Sequence, residues 1–315
     1  MADKPSRAVV VYGDGFASLV AQSHTNLHAL ASLGSCGFLA LRAPPSSPSS
    51  ECQPSRDIRE LAQLLDAYDS FDALNKELGE IDSNLQLQKR FMGLRAALFT
   101  AGTSIGSFAR KVGFSVFEVD ELIKKSTSPV EYSMASELLN LLGFSGGKVS
   151  EKNDFDLVFL HIKAGQQLKA LKDKITINAG VDWLDKFIGE LLGISPPGSE
   201  IAARLHVSLV LSYGDASENE DQKASISMLP IEESSDLSLL RPCQSYTMKG
   251  GKPLNDIRHH HPMLVAQWQE AVTRRDATKE FSHKEFQEAR YLAILADRFL
   301  HEVAFKLWKA PKYGA

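Results

Sequence analysis

The chain has 315 residues, which is long enough to bury a large core in one large or two modest domains. Its apolar share of 43% and charged share of 23% are ordinary for a globular protein and argue against global disorder. The formal net charge of −4 at pH 7 gives no general attraction to nucleic acid or to anionic lipid, so neither is expected as a partner.

The cysteines and the apolar segments indicate the compartment. Cys36, Cys52 and Cys243 lie far apart without a CxxC pair, which is typical of reduced thiols rather than of a disulfide framework or a zinc cluster. The first residues lack the apolar run of a signal peptide. No later segment reaches the roughly 18 apolar residues of a membrane span. We therefore expect a soluble, cytoplasmic protein.

A strand, a helix and a second strand open the chain. Ala8–Tyr12 (AVVVY) is a continuous apolar run, typical of a strand that is buried on both faces, and Gly13-Asp14-Gly15 ends it. Asn26–Leu33 carries apolar residues at helical spacing and stops at Gly34. Gly37–Leu41 is the second predicted strand.

Strands and helices continue to alternate along the chain. Further strands are predicted at Arg95–Thr100, Ser115–Val119, Asp156–Ile162 and His206–Tyr213. Helices are predicted at Arg59–Leu87, 102–109, Pro129–Leu142 (capped by Ser128), Val181–Leu192, Met263–Ala271 and Phe281–Leu307. This alternation predicts an α/β fold with a doubly wound, mostly parallel sheet. We expect residues 1–315 to form a single domain, with a Pro/Ser-rich connection near 43–56 and a long irregular insertion near 216–257.

Three predicted strands end on polar groups that could carry chemistry. The candidates are Asp14 after the first strand, His161 and Lys163 on the strand near residue 160, and Asp215 after the strand near residue 210. Ligands gather at the carboxyl ends of strands in α/β sheets, so these groups could form a metal or phosphate site. Ordinary turn chemistry at the Gly-Asp pairs and a hydrogen-bonded core histidine are the alternatives, and both remain open.

The order of these segments resembles that of cofactor-independent phosphoglycerate mutases of the archaeal-like branch. The first strand, helix and second strand of that family are similar to VVVYGDGF and TNLHALASLGSCGFLAL. Two later strands of the family are similar to NDFDLVFLHIKA and LVLSYGDAS, and its closing region is similar to FQEARYLAILADRFLHEVAFKLW. The resemblance implies an alkaline-phosphatase-like fold. It also implies a reaction that interconverts 3-phosphoglycerate and 2-phosphoglycerate with two metal ions, usually Mn, Zn or Mg, and a Ser or Thr nucleophile.

Few of the metal ligands of the family carry over to this sequence. Tyr12 stands where the first strand of the family has a metal-binding Asp, and Asp14 follows two residues later. Asp215 matches the Asp of the Gly-Asp-His motif, but Ala216 replaces its His. His259 and His261, in a His-His-His-Pro run, are the candidates for the last ligand, with a surface or helix-capping cluster as the alternative.

Other parts of the family site have no counterpart. After His161-Ile162-Lys163-Ala164 the chain continues Gly165-Gln166, which supplies no charged ligand. Residues 43–90 match neither the nucleophile segment nor a complete lid domain, so the resemblance implies a reduced lid. Since several ligands are missing, we expect no bound metal.

Three functions remain open. The first is a phosphoglycerate mutase-like glycolytic isomerase with weak or no activity. The second is a non-catalytic binding or regulatory protein on the same scaffold, which holds a phosphorylated small metabolite or a protein partner. The third is an enzyme with rebuilt chemistry, in which His161 near Asp14 and Asp215 acts as an acid or a base, with Lys163 beside it.

Overall fold

The structure is a computed structural model. It describes residues 5–42, 55–68, 86–120, 122, 133–165, 177–214, 248–249, 252–253, 256–258, 260–289 and 291–311. In these ranges the chain folds around one large β-sheet with helices on both faces.

The elements alternate along the chain as expected for an α/β protein. The strands are β1 (Arg7–Asp14), β2 (Ser35–Ala40), β3 (Ala96–Thr100), β4 (Ser115–Glu118), β5 (Phe144–Ser145), β6 (Lys148–Val149), β7 (Leu157–Lys163), β8 (Leu205–Leu211), β9 (Met248–Lys249), β10 (Lys252–Pro253), β11 (Met263–Trp268) and β12 (Ala293–Leu295). The helices are α1 (Thr25–Leu33), α2 (Arg56–Leu64), α3 (Leu87–Arg90), α4 (Thr103–Val112), α5 (Met134–Leu141), α6 (Ile177–Ile194), α7 (Glu200–Arg204), α8 (His283–Glu288) and α9 (Phe299–Lys306).

The large sheet has eight strands in the described part of the chain, in the order β12-β2-β11-β8-β1-β7-β3-β4. All neighbouring strands pair in parallel except β11, which runs antiparallel to β2 and to β8. The predicted α/β class with a mostly parallel sheet is therefore confirmed. The single-domain prediction for 1–315 stays a prediction.

Strand β1 lies in the middle of the sheet and is buried on both faces. Val9 and Val11 pack into an apolar cluster with α1 and α6, whereas Val10 and Tyr12 pack into a second cluster with α2, α4 and α9. Successive side chains of a strand point to opposite faces, so a strand covered on both sides needs a continuous apolar run. The sequence AVVVY meets this requirement.

Two predicted helices are wrong. Met263–Ala271 was expected to be helical, but Met263–Trp268 forms strand β11 between β2 and β8. Phe281–Leu307 was expected to be one helix, but it contains α8, β12 and α9. In both cases pairing with the sheet decides the local structure, since a short, fully buried apolar run has no period that separates helix from strand.

The bounds of α2 and the cap of α5 also differ from the predictions. Helix α2 begins at Arg56, within the predicted connection near 43–56, and ends at Leu64, well before the predicted Leu87; residues 69–85 lie outside the described ranges. The cap of α5 is Ser133, whose side chain accepts a hydrogen bond from the backbone N–H of Ser136; the predicted cap at Ser128 lies outside the described ranges. Most of the predicted insertion near 216–257 also lies outside them.

Candidate functional site

The carboxyl ends of β1, β7 and β8 meet at one edge of the sheet. In the β1–β7 pairing Tyr12 is the partner of His161, and Asp14 is the partner of Lys163. The sheet therefore places three of the predicted site residues, Asp14, His161 and Lys163, on neighbouring strand ends. Asp215 and His259 lie outside the described residues, so their predicted roles stay predictions.

Two glycines let these strand ends approach closely. Gly15 follows β1 with φ +86°, and Gly214 follows β8 with φ +71°, a region that disfavours side chains. A Cβ atom at Gly214 would lie 2.8 Å from the Cα of Gly15. Glycine at this position thus brings the backbone after β8 against the backbone after β1.

Asp14 is fully buried at the end of β1. Its Oδ1 accepts hydrogen bonds from Arg56 Nη2 at 2.7 Å and from Ser212 Oγ at 2.9 Å. Its Oδ2 is also buried and has no hydrogen-bond partner in the structure. A buried carboxylate needs a compensating charge, and Arg56 supplies it.

Helix α2 supplies charged groups around this carboxylate. Arg56 and Glu60 are four residues apart and form an ion pair of 2.7 Å, from Nη1 to Oε2. Arg258 lies 3.3 Å from the other oxygen of Glu60. We call Asp14, Arg56, Glu60 and Arg258 the strand-edge cluster. Asp57, also on α2, contacts Lys163 Nζ at 3.2 Å.

Burial dominates the electrostatics of this cluster. Desolvation raises the pKa of Glu60 even though Arg56 and Arg258 act to lower it. Desolvation, followed by the charges of Asp14 and Glu60, raises the pKa of Tyr12 well above its ordinary value. The Tyr12 hydroxyl is therefore neutral and lies 3.3 Å from Glu60 Oε2.

His161 is buried beside the cluster and is satisfied on one side of its ring. Its Nδ1 lies 2.9 Å from Thr100 Oγ1, which also accepts a hydrogen bond from the backbone N–H of Gly102. Its Nε2 is buried without a partner in the structure. Desolvation lowers the pKa of His161 to about 4, despite the opposing charge of Asp14, so the imidazole is neutral at pH 7.

The segment before β11 is fixed to the same edge by Arg258. This guanidinium donates to the carbonyl oxygen of His261 at 2.8 Å and to that of His260 at 3.1 Å. The His261 ring packs against Tyr213 at 4.8 Å between centroids, and its backbone has φ +48°. The structure thus brings His261 near the end of β8, with its ring against an aromatic side chain.

The described residues do not fit a divalent metal ion. They contain no group of three or more His, Cys, Asp or Glu side chains that could hold one. Asp14 follows Tyr12, which stands at the position of a metal-binding Asp in the resembling family. The Oδ1 atom of Asp14 already contacts the Arg56 guanidinium, whose positive charge opposes a second cation at the same oxygen. The described side chains therefore support no chemical step through a metal ion.

Sequence reasoning found only Asp14 of the strand-edge cluster. Arg56, Glu60 and Arg258, and the neighbouring Ser212, were not among the predicted site residues. A usable signal was the spacing of Arg56 and Glu60, which places opposite charges one helical turn apart. Nothing local indicated that this pair would face Asp14.

No protein-family model matches the sequence, and no curated protein matches it significantly. Among solved structures, the PH0037 protein from Pyrococcus horikoshii matches with a TM-score of 0.56 and 15% identity, over 99% of each chain. The lipoteichoic acid synthase LtaP from Listeria monocytogenes matches with a TM-score of 0.50 and 11% identity, over 99% of this chain and 74% of that one. These two similarities show a shared fold and nothing about activity.

A cofactor-independent phosphoglycerate mutase from Thermoplasma acidophilum DSM 1728 also matches, with a TM-score of 0.45 and 9% identity, over 96% of this chain and 99% of that one. A similarity at this level supports no argument about fold or function. Within the described ranges, the structure has no helix that is both long and apolar enough to cross a membrane.

Proposed function

We propose that this protein is a phosphoglycerate mutase-like member of the alkaline phosphatase superfamily with little or no metal-dependent mutase activity. In this proposal it acts in the cytoplasm as a binding or regulatory protein that holds a phosphorylated small metabolite at the carboxyl edge of its sheet. The resemblance of the strand ends YGD, HIK and SYGD to those of the mutases supports the scaffold. YGD ends β1 and HIK ends β7, whereas SYGD begins directly after β8 and its Asp215 lies outside the described residues; the three strands are neighbours in the sheet.

The contact between Asp14 and Arg56 carries the proposal. In the mutases the end of the first strand supplies a carboxylate to a metal ion. Here the carboxylate at the end of β1 is buried and bonded to a guanidinium at 2.7 Å. A metal-dependent phosphoryl transfer needs carboxylates that are free to bind the metal. The same scaffold can keep a ligand site without this chemistry, because fold and activity are separable.

Lys163 supports the choice of a phosphorylated ligand. Its side chain is 37% exposed, whereas those of Arg56 and Arg258 are 15% and 16% exposed. Of these three cations, Lys163 is the one that a ligand from solvent reaches most easily. An ammonium group on a strand end binds phosphate as a point charge.

Metal content and mutase activity test the proposal first. The protein is incubated with Mn, Zn and Mg, dialysed, and measured by elemental mass spectrometry; turnover of 3-phosphoglycerate is then followed with and without metal. We expect metal far below one ion per chain and no metal-dependent turnover. Near-stoichiometric metal that is lost in Asp215→Ala, together with turnover, would contradict the proposal and favour an active mutase.

Ligand binding is tested separately by calorimetric titration with 3-phosphoglycerate in the presence of a chelator. We expect saturable binding that is weakened several-fold or more by Lys163→Ala. The matched control is Lys284→Ala, because Lys284 is 84% exposed on α8 and forms only a long 3.9 Å surface pair with Glu288 among its described contacts. Equal affinity in both variants would rule out Lys163 as the phosphate-binding group.

A further inference from the structure

We propose that the exposed apolar side chains of Met92, Phe305 and Trp308 form a docking surface for an acidic segment of another protein. We call these three residues the α9 patch, because Phe305 lies on α9 and Trp308 lies two residues after its end. The patch lies near the amino ends of the strands, since Lys309 contacts Asp156 just before β7. The metabolite site of the proposed function is at the opposite ends, so this inference goes beyond that function and does not depend on it.

The three residues of the α9 patch lie on neighbouring segments. The ring of Phe91, the residue before Met92, lies 6.2 Å from the ring of His301 on α9, measured between centroids. Phe305 is one helical turn after His301 and therefore lies on the same side of α9. The backbone N–H of Trp308 donates to the carbonyl oxygen of Phe305 at 3.0 Å, which places the two residues in one turn.

The first support is the exposure of these side chains. Met92, Phe305 and Trp308 are 61%, 43% and 56% exposed, and among the described residues Val272 and Leu292 are the other exposed large apolar side chains. Single apolar side chains on a surface need no explanation, but a group of them marks an interaction site. Tryptophan is also among the residue types most enriched at the positions that dominate binding energy.

The second support is the backbone under two of these side chains. Trp308 has φ +61° in the turn that ends α9, a left-handed conformation that glycine adopts at helix ends without strain. Met92 has φ +43° in the same region. A bulky side chain in this conformation costs stability, and an exposed side chain offsets little of that cost by packing within its own chain. A contact made outside the chain accounts for large side chains at these two positions.

The third support is the charge beside the patch, which selects the partner. Lys309 and Arg95 contact the same carboxylate, that of Asp156, at 3.4 Å and 2.8 Å, so two cations share one acid. Burial lowers the pKa of Lys306, on the last turn of α9, and Glu302 acts to raise it. Carboxylates of a partner would balance the surplus charge and favour the charged form of Lys306. The net charge of −4 of the whole chain disfavours an anionic membrane as the alternative occupant.

Peptide binding to the intact protein tests the inference. The probes are a panel of fluorescently labelled synthetic peptides in which Asp or Glu residues flank Leu, Phe or Trp in varied order. Each peptide has one counterpart with Lys in place of the acids and one with Ser in place of the apolar residues. We expect saturable binding of acidic apolar peptides by fluorescence polarisation, and binding about tenfold or more weaker for both counterparts. If no peptide of the panel binds, or if the Lys counterparts bind equally well, the inference is overturned.

Trp308→Gly separates a role in binding from a role in folding. Glycine suits the left-handed backbone, so this variant should melt at the temperature of the intact protein or above it, while its affinity for the peptides falls about tenfold or more. Phe305→Ser should also weaken binding. The matched control is Val272→Ala, which removes an exposed apolar side chain outside the patch and should keep the affinity. A melting temperature lowered by several degrees in Trp308→Gly would show that Trp308 packs within the chain. That result, or equal affinity in Trp308→Gly and Val272→Ala, would overturn the inference.

Two other occupants of the α9 patch are distinguishable from an acidic segment. A dimer of the intact protein in sedimentation that dissociates in Trp308→Gly would assign the patch to a second copy of the chain and overturn the inference. Stronger binding to phosphatidylserine vesicles than to the peptides, lost in Trp308→Gly, would assign it to a membrane surface and also overturn it. Neither result affects the proposed function, because binding of 3-phosphoglycerate is measured through Lys163 at the other ends of the strands.

Discussion

One ionic cluster lies at the carboxyl ends of the strands (the carboxyl edge of the sheet) and another at their amino ends (the amino edge), and the two differ in exposure. At the carboxyl edge, Arg56 is 15% exposed and contacts Asp14, which has one oxygen without a partner. At the amino edge, Asp156 precedes β7 and contacts Arg95, which is 49% exposed, and Lys309. Both oxygens of Asp156 accept hydrogen bonds. The first carboxylate is fully buried and has one oxygen without a partner, whereas the second is only partly buried, is paired with a half-exposed arginine and has both oxygens bonded.

The pKa values of Glu60 and Asp156 shift in opposite directions for this reason. Partial burial acts to raise the pKa of Asp156, but the hydrogen bonds from Arg95 outweigh it and the pKa is lowered. For Glu60, burial outweighs the charges of Arg56 and Arg258, and the pKa is raised. A carboxylate paired with arginine therefore stabilises the folded protein directly at Asp156, whereas at Glu60 the pairing mainly limits the cost of buried charge.

Arg56→Met is expected to have the largest effect of a single substitution at either edge. It leaves the buried carboxylate of Asp14 without its cation, which costs about 3 to 5 kcal/mol of unfolding free energy when a buried pair is broken from one side. Urea denaturation at pH 7 measures the change. Arg90→Met, which breaks a pair to the partly exposed Asp66, is the control and should cost clearly less. Equal losses in the two variants would contradict the distinction between buried and solvated pairs.

The second largest effect is expected on acidification. His161 has a pKa of about 4 in the folded protein, below its ordinary 6.5, because burial disfavours its charged form. Asp14 and Asp57 act to raise this pKa, whereas Lys163 and Arg56 act to lower it. As the pH falls below about 6.5 the unfolded chain takes up the proton first. The free energy of unfolding therefore falls by about 3 kcal/mol as the pH is lowered from about 6.5 to about 4.

Urea denaturation between pH 7 and pH 4 measures this loss. His161→Gln should be less stable than the intact protein at pH 7, because its packing and its contact with Thr100 change, but its stability should fall less steeply with acid. His206, also buried with a lowered pKa, contributes to the same decline, so some pH dependence remains in the variant. An unchanged slope would show that His161 does not titrate as described.

Much of the sheet was predictable from single segments. The runs that became β1, β7 and β8 are mostly apolar and are followed by polar or glycine residues, which indicates buried parallel strands with a functional edge. Asp14, His161 and Lys163 were placed at that edge because strand ends can be read from the sequence. The register that sets Tyr12 against His161 follows once the strands pair.

The elements that failed depend on contacts from elsewhere in the chain. Met263–Trp268 (MLVAQW) has the composition of a helix, yet it is a strand because β2 and β8 leave a gap that it fills. Arg56 follows a Pro/Ser-rich stretch and its contact with Asp14 depends on how α2 packs on the sheet. Local propensity carries no information about either partner.

Ser212→Ala is expected to have an intermediate effect. The Ser212 hydroxyl donates to Asp14 Oδ1 at 2.9 Å and accepts from the backbone N–H of Gly15 at 3.2 Å. Its loss leaves these buried groups without a partner, which should lower the free energy of unfolding by about 1 to 2 kcal/mol. Ser195→Ala is the matched control, because Ser195 is also buried but its hydroxyl, among the described contacts, donates only to the carbonyl oxygen of Leu191 in the preceding helix α6. Thermal unfolding compares the two, and a larger loss at Ser195 would contradict the role of Ser212.

The smallest effect is expected at the amino edge, from Arg95→Met. Arg95 is about half exposed, so its pair with Asp156 should contribute less than about 1 kcal/mol, and Lys309 remains near the same carboxylate.

High salt should separate the two substitutions further. At about 1 M ionic strength the Debye length falls to about 3 Å, so exposed pairs are screened, whereas buried pairs are screened much less. The cost of Arg95→Met should therefore vanish in high salt while that of Arg56→Met persists, because the carboxylate left behind at the carboxyl edge has no access to solvent. A cost of Arg56→Met that also vanished would show that salt ions reach Asp14.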